Sequence, residues 1–341
     1  MPNGEISWLD EVQRPPDPLP KEAPRLAGLL HDDAHLPIES AEQWKARRAQ
    51  LQGRWLEFLG MQHFPTLRPD LKREVLEEDR PDCVRQLVRY ETEEGLPVEG
   101  YLLFPERIQQ RLPGVVVLHS TVDYSIRQPA GLEGPPEMHI GLKLARRGYV
   151  AFCPRCFLWQ GTTDYQKAVT EHERRHPGSR GMAKMLWDAW RAVDLLESLD
   201  TVDGSAIGAA GHSLGAKEAL YLAAFDDRVR ATVSSEGGIG LGFSNWEAPW
   251  YLGGDIRRPG FPLENHQVLA MVAPRPFLLL GGDSADGDRS WPFIAAVMPI
   301  YDLLASPRRI GLFNHRQGHA LPPEAEQRLY GWLDHYLGRP V

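Results

Sequence analysis

The stretch that decides the fold is Ala206-Ile207-Gly208-Ala209-Ala210-Gly211-His212-Ser213-Leu214-Gly215, followed by Ala216-Lys217-Glu218-Ala219-Leu220-Tyr221-Leu222-Ala223-Ala224. Its first five residues are small or branched and read as a short buried strand. Its last nine, from Ala216, read as a helix. Between them Gly211-His212-Ser213-Leu214-Gly215 matches the pattern G-x-S-x-G, in which a serine sits on a sharp turn from strand to helix. Such a turn forces the serine into a strained backbone conformation that lifts its hydroxyl off the sheet edge. The flanking glycines let strand and helix approach closely.

Outward from this turn the chain alternates apolar strands with helices. Val115–Leu118, Tyr149–Phe152, Ala206–Ala210, Val229–Val233, Pro276–Leu280 and Arg309–Phe313 are expected strands. They are apolar on both faces, which implies a parallel sheet covered on both sides by helices. Helical patterns span His139–Arg147, Gly181–Leu199, Ala216–Phe225, Trp291–Leu304 and Pro323–Tyr336. Upstream, Val84–Thr92 and Val98–Pro105 flank Glu93-Glu94-Gly95-Leu96-Pro97 and predict a hairpin. An antiparallel hairpin leading into six parallel strands, with Ser213 after the third, is the topology of an α/β-hydrolase.

The N-terminal segment differs. Residues 1 to about 38 are rich in proline and acidic residues (Pro15-Pro16-Asp17-Pro18-Leu19-Pro20) and predict an extended arm. Ser40 is a candidate N-cap for an amphipathic helix over Ala41–Leu59, stopped by Gly60. The expected division is residues 1–75 as arm plus helix and residues 76–341 as the catalytic domain. Residues 237–266, with Phe243, Trp246, Trp250 and Tyr251 among glycines and prolines, form an insertion too long for a plain connection. It reads equally as a cap over a pocket and as a core excursion.

The chain has 341 residues, 42% hydrophobic and 25% charged, with a formal net charge of −8. That balance argues against a nucleic-acid partner, which needs a basic face. No apolar run approaches the roughly 20 residues of a membrane span, and Met1–Trp8 lacks the basic and apolar regions of a secretory signal. Three cysteines, Cys83, Cys153 and Cys156, leave at least one unpaired. This suits a reducing compartment, so a cytoplasmic location is expected. Cys153-Pro154-Arg155-Cys156 has C-x-x-C spacing without a second pair or a helix start, so packing is its expected role. A homo-oligomer is compatible with this composition.

An acyl-transfer serine needs a base within hydrogen-bond reach and a carboxylate to orient that base. Phe313-Asn314-His315-Arg316-Gln317-Gly318-His319-Ala320 follows the last strand. His319 is favoured as base because Gly318 frees the loop to turn the imidazole toward the serine, with His315 as fallback. For the acid, Gly281-Gly282-Asp283-Ser284-Ala285-Asp286-Gly287-Asp288 offers three aspartates. Asp286 is favoured over Asp283, too near the strand, and Asp288, too near the next helix. Glu236, ending the strand after the nucleophile helix, is the competing acid, or else a cap on the Gly237-Gly238 turn. The oxyanion donors are expected to be the backbone N–H of Leu214 and that of Ser120 or Thr121 in the loop after Leu118. Arg155, Trp159 and His172 follow the strand ending at Phe152, on the side where open α/β sheets bind ligands. Arg155 there has the chemistry to hold a substrate carboxylate or an acidic neighbour.

Gly114-Val115-Val116-Val117-Leu118-His119, Gly148-Tyr149-Val150, Gly211-His212-Ser213-Leu214-Gly215, Ala273-Pro274-Arg275-Pro276 and Gly318-His319 together resemble the serine esterases of the α/β-hydrolase superfamily. The likeness covers roughly residues 80 to 340 and lies near the acetyl xylan esterase and dienelactone hydrolase-like branches. Dienelactone hydrolases proper use a cysteine where this chain has Ser213. The chain is also similar to glucuronoyl esterases at Lys217, where that family places a sugar-contacting lysine, and at Glu236, where some members place the triad acid. It departs from them at Leu214, where they carry an oxyanion-stabilising arginine. The resemblance implies a cofactor-independent carboxylic-ester hydrolase, with no metal, acting on small or carbohydrate-linked esters. Uronate esters and aminoacyl amides are the neighbouring substrate classes, and a non-catalytic ligand receptor on the same fold is the alternative of another kind. Lys217, Arg155, Trp159 and Trp246 are the expected substrate contacts.

Overall fold

The computed structural model describes residues 6–66, 70–80 and 82–338. The first five residues of the expected arm and the last three of the expected catalytic domain therefore lie outside the described residues. One nine-stranded sheet organises the chain, in the order β1-β2-β3-β5-β4-β6-β7-β8-β9. Its strands are β1 (Arg73–Asp79), β2 (Val84–Glu93), β3 (Leu96–Phe104), β4 (Leu112–Leu118), β5 (Val150–Pro154), β6 (Val202–His212), β7 (Val229–Ser235), β8 (Phe277–Gly281) and β9 (Ile310–Asn314). Strands β1 to β3 pair antiparallel, β3 joins β5 antiparallel, and β4 to β9 are mutually parallel. Ser213 follows the third of these six parallel strands.

The parallel strands are buried on both faces. In β4, Val116 and Leu118 enter one core while Val115 and Val117 enter the other. The first core is roofed by α2 (Ala41–Leu59), α5 (Gly181–Glu197), α6 (Leu214–Phe225), α7 (Asn265–Ala270) and α8 (Trp291–Leu303). The second is roofed by α1 (Leu9–Val12), α3 (Ile140–Arg146) and α9 (Pro323–Leu337). The remaining helix, α4 (Tyr165–Arg175), and α7 lie in stretches whose sequence reads as connection. No helix among the described residues is long and apolar enough to cross a membrane.

Strand β1 is invisible to a hydrophobicity reading. Its residues, Arg73-Glu74-Val75-Leu76-Glu77-Glu78-Asp79, are almost all exposed, so pairing with β2 holds it at the sheet edge. Its charges also discourage further strands from adding there.

Helix α2 begins and ends as its sequence dictates. The Gln43 N–H donates to Ser40 Oγ at 3.2 Å, and the Ser40 N–H donates back to Gln43 Oε1 at 3.0 Å. This reciprocal capping satisfies two amides that the helix start leaves free. Gly60 closes the helix in the left-handed region, φ 79°. Its buried face carries Trp44, Leu51, Trp55 and Leu59, and Trp55 meets Tyr221 of α6 edge-on at 5.8 Å. Truncating a buried tryptophan of this kind costs roughly 3–5 kcal/mol. The N-terminal segment is thus fastened to the helix that carries the elbow. The arm before it is not wholly extended, because α1 packs on β9, where Gln13 Nε2 donates to the Ile310 carbonyl at 3.0 Å.

Candidate active site

Ser213 stands between β6 and α6 with φ 59° and ψ −116°, a strained conformation for a residue with a side chain. The Ser213 N–H donates to the Ser235 carbonyl at 2.8 Å, tying the turn to the end of β7. Close approach explains the second glycine of the motif. A Cβ on Gly215 would lie 2.0 Å from the Leu118 carbonyl oxygen, so any other residue there would push α6 off β4. The helix starts at Leu214, two residues earlier than its pattern suggests. That leaves the Leu214 amide in the first turn, without an intrahelical acceptor and near the positive end of the helix.

The backbone ladder continues past the strand ends and sets the other loops around Ser213. The Glu236 N–H donates to the Leu280 carbonyl at 2.9 Å, the His315 N–H to Gly281 at 2.8 Å and the Gly318 N–H to Gly282 at 2.7 Å. A Cβ on Gly282 would lie 2.0 Å from the Gly318 oxygen. The glycine at 282 is what lets the histidine loop close on its neighbour.

In this arrangement His319 Nδ1–H donates to Glu236 Oε2 at 3.1 Å. That fixes the ring and leaves Nε2 as the nitrogen that accepts a proton. The His212 ring lies 4.7 Å from that of His319, so the histidine is placed directly beside the elbow. Burial, reinforced by His319, pushes His212 down to about 3; it is therefore neutral, with Nδ1 3.0 Å from Ser235 Oγ. Nothing in the sequence marks His212 for this backing role beyond its place before the serine.

Glu236 is fully buried with φ 54°. Burial alone would raise its carboxyl, but His319 and the amides of Ala285 and Gly282 outweigh this and hold it below the usual carboxylate range. Ala285 N–H donates to Oε2 at 2.8 Å, and the Gly282 N–H donates to Oε1.

The expectation that Asp286 orients the histidine is corrected. Asp286 is also fully buried, but its Oδ2 accepts from the Gly238 N–H at 2.7 Å and its Oδ1 from the Ile239 N–H at 2.8 Å. Ser290 Oγ donates to the same Oδ1 at 2.8 Å. All this turns the carboxylate toward the root of the 237–266 insertion. Nor does Glu236 cap the Gly237-Gly238 turn: Asp286 does that. Asp283 and Asp288 accept from Asn314 Nδ2 at 2.7 and 2.8 Å and also face Arg316. The fallback base His315 is buried, with its Nδ1 accepting from the Gln317 N–H at 3.2 Å.

Of the two amides proposed to join Leu214, that of Ser120 is taken. It donates to Gln128 Oε1 at 3.1 Å, which leaves Thr121 as the exposed candidate of the pair. The loop is steadied by His119, which accepts from the Cys156 N–H at Nε2, 3.2 Å, and contacts the Ser120 carbonyl through Nδ1 at 2.7 Å. Burial lowers His119 to about 4 and keeps it neutral.

The expected substrate contacts divide. Trp246 is fully buried, with Nε1 donating to the Gly238 carbonyl at 2.6 Å, so it supports the insertion from inside and presents no surface. Lys217 is buried too. Its Nζ donates to Ser244 Oγ at 2.9 Å and to Asn245 Oδ1 at 3.1 Å, and lies 4.7 and 4.4 Å from the Trp246 and Tyr251 ring centres. Burial pushes it down to about 7. In this structure it clamps the insertion onto α6. The insertion is accordingly core at Trp246 and Tyr251 and partly exposed wall at Phe243 and Trp250. His172 is a packing histidine, its Nε2 3.1 Å from the Arg180 carbonyl. Arg155 and Trp159, by contrast, line an open cleft. The three cysteines are unpaired and buried.

A serine on a strained strand-to-helix turn, with a histidine–glutamate pair beside it at the C-terminal edge of a mostly parallel sheet, gives the chain the α/β-hydrolase fold. Comparison with known proteins agrees: residues 98–247 match the dienelactone hydrolase family. The chain is 26% identical over 191 residues to 4-O-methyl-glucuronoyl methylesterase 1 of Wolfiporia cocos (strain MD-104). That match covers 46% of each protein, so it spans about half the length of the curated relative. A glucuronoyl esterase from Solibacter usitatus superposes with a TM-score of 0.69 at 18% identity, covering 93% of this chain and 99% of that one. A CE15 glucuronoyl esterase from Teredinibacter turnerae T7901 gives 0.61 at 21% identity, covering 91% and 89%.

Proposed function

We propose that this protein is a serine-dependent carboxylic-ester hydrolase acting on carbohydrate-linked esters. The observation that carries the reading is the His319–Glu236 pair, held beside Ser213 by the ladder of the neighbouring strands. Ser213 Oγ attacks the acyl carbon while His319 Nε2 takes its proton. The carbonyl π pair moves to oxygen, and the Leu214 and Thr121 amides receive that oxyanion. Collapse breaks the bond to the alcohol, which leaves with the proton from His319 and gives an acyl-enzyme. Water then adds by the same route, the proton again passing through His319, and the free acid leaves with Ser213 restored. Glu236 stays ionised throughout and stabilises the imidazolium.

The named relatives point to sugar acids as the acyl part, so uronate esters are the first substrates to assay. Leu214 lacks the guanidinium that glucuronoyl esterases carry at that position, so the two backbone amides must supply the oxyanion stabilisation. Turnover of p-nitrophenyl acetate and of a methyl glucuronate is expected, together with labelling of Ser213 by a fluorophosphonate. Both are expected to vanish in Ser213→Ala, with loss of turnover of about 10⁴-fold or more. A folded wild-type protein that neither turns over esters nor takes the label would overturn the proposal and leave a ligand receptor as the reading.

A further inference from the structure

A large hollow lies to one side of Ser213. It is a cleft of about 770 Å³ beyond the end of β5, walled by Arg89, Pro97, Glu99, Arg155, Trp159 and Thr162 among others. Strands β5 and β6 are separated by β4 alone. At the usual spacing the cleft therefore opens roughly 10 Å along the sheet edge from the elbow strand.

Three observations describe what the cleft would hold. Its walls combine the apolar surfaces of Leu96 and Pro97, backed by the buried Trp159, with amide and hydroxyl groups, a mixture that suits a ring with an apolar face and a hydroxylated rim. Its charge is unbalanced. Arg89 and Arg155 both bond the single carboxylate of Glu99, at 3.2 and 3.1 Å, and the lining holds no other acid. Arg89 has a second acid, Glu74 on the exposed edge strand, but only at 3.8 Å, so within the cleft two guanidinium groups share one closely bonded carboxylate. Both arginines are also partly open to solvent, with 43% and 25% of their side-chain surface exposed, so a ligand reaches them without unfolding the wall.

The cleft is also mechanically joined to the candidate active site. Arg155 Nη1 donates to Ser125 Oγ at 3.1 Å, in the loop that carries Thr121. Trp159 meets His119 edge-on at 4.9 Å and Tyr165 at 5.0 Å, and Tyr165 in turn meets Trp250 of the insertion at 5.8 Å. An aromatic wall thus runs from the cleft to the insertion beside Ser213.

We infer that this cleft is a distal subsite for an acidic oligosaccharide, one that bears a free carboxylate on a sugar remote from the scissile ester. Sugar rings lie against Leu96 and Pro97, and the carboxylate pairs with the Arg89–Arg155 fork, displacing part of the Glu99 contact. The position of the subsite rests on the ester-hydrolase reading, but its occupancy is measurable without turnover.

The test is calorimetric titration of the full chain with two probes: xylotriose carrying one free glucuronic acid, and neutral xylotetraose. The acidic probe is expected to bind at least 10-fold more tightly than the neutral one, and raising the salt is expected to erode that difference. Arg89→Met/Arg155→Met is expected to abolish the preference, while Arg89→Lys alone, which keeps the charge and loses the fork, is expected to weaken the acidic probe only several-fold. Equal affinity for the two probes, no binding of either, or an unchanged preference in Arg89→Met/Arg155→Met with a native circular-dichroism spectrum would each overturn the inference. Binding with this pattern in a protein that hydrolyses no ester would support the subsite and sink the hydrolase reading. Ester hydrolysis without such binding would sink the subsite alone.

Discussion

The loops after β7 and β8 each present one fully buried carboxylate, and the two behave differently although their settings look alike. Glu236, from the β7 loop, accepts amides of the β8 loop, at Gly282 and Ala285. Asp286, from the β8 loop, accepts amides of the β7 loop, at Gly238 and Ile239. The loops are pinned to each other reciprocally. The difference lies in the last contact, which for Glu236 is His319 and for Asp286 is Ser290. One carboxylate therefore has an imidazole partner beside Ser213, and the other has only hydroxyl and amide partners under the insertion. Equal burial does not imply equal function, because the direction in which each group points decides what it stabilises.

The comparison is broken or sharpened first at Glu236. Glu236→Gln keeps the shape and part of the amide contact but removes the charge that stabilises the imidazolium, so kcat is expected to fall about 10³- to 10⁴-fold, by analogy with triad acids. Steady-state kinetics on one ester decide this; retained kcat would return the acid role to the β8 loop.

Gly282→Ala is the next largest. The added methyl meets the Gly318 carbonyl and displaces the histidine loop, and misplacement of about 1 Å costs about 10²-fold in kcat. KM for a short ester should move far less, and a parallel loss in both would indicate general unfolding.

Asp286→Ala has the complementary signature. It strands two buried amides and a hydroxyl, so a stability loss of about 2–3 kcal/mol by denaturant titration is expected, with kcat within a few-fold of wild type. Loss of kcat without loss of stability would contradict the division of labour.

The smallest effect is in pH dependence, where the two carboxylates have opposite signs. Glu236 is held below its ordinary value, so its stabilisation is present above the usual carboxylate range and is lost as pH falls through the lowered value. Burial raises Asp286 above its ordinary value; the native state then holds the proton longer than the unfolded chain, and stability falls as pH rises through that window. Stability measured from strongly acidic to neutral pH should lose its rising limb, below the usual carboxylate range, in Glu236→Gln and its falling limb, above that range, in Asp286→Asn. The same change in both variants would show that the two groups titrate as one.

Much of this was readable from local pattern. Strands β4 to β9 are continuous apolar runs, and Ser213 and His319 sit at positions the strand order dictates for such a sheet. Ser40 and Gly60 announce the ends of α2 for the same local reasons. Strand β1 was not readable, because an edge strand made of charged residues is held by hydrogen bonds and ion pairs such as Arg85–Asp79 and leaves no hydrophobic signature. Lys217 and Trp246 look like pocket residues by type, yet the insertion folds down over them, and no local feature predicts where a long loop packs. The Ser120 amide likewise looks available until Gln128, eight residues on, is seen to occupy it.

The sequence by itself determined the topology, the turn that strains Ser213 and the loop that supplies His319, since each depends on neighbours a few residues away. The choice of Glu236 over Asp286 was made only in the tertiary structure. Both lie in glycine-bearing loops at strand ends, and what separates them is the register between β7, β8 and β9. That register is set by hydrogen bonds between residues more than 30 positions apart, and by the room that Gly282 leaves for the chain at Gly318.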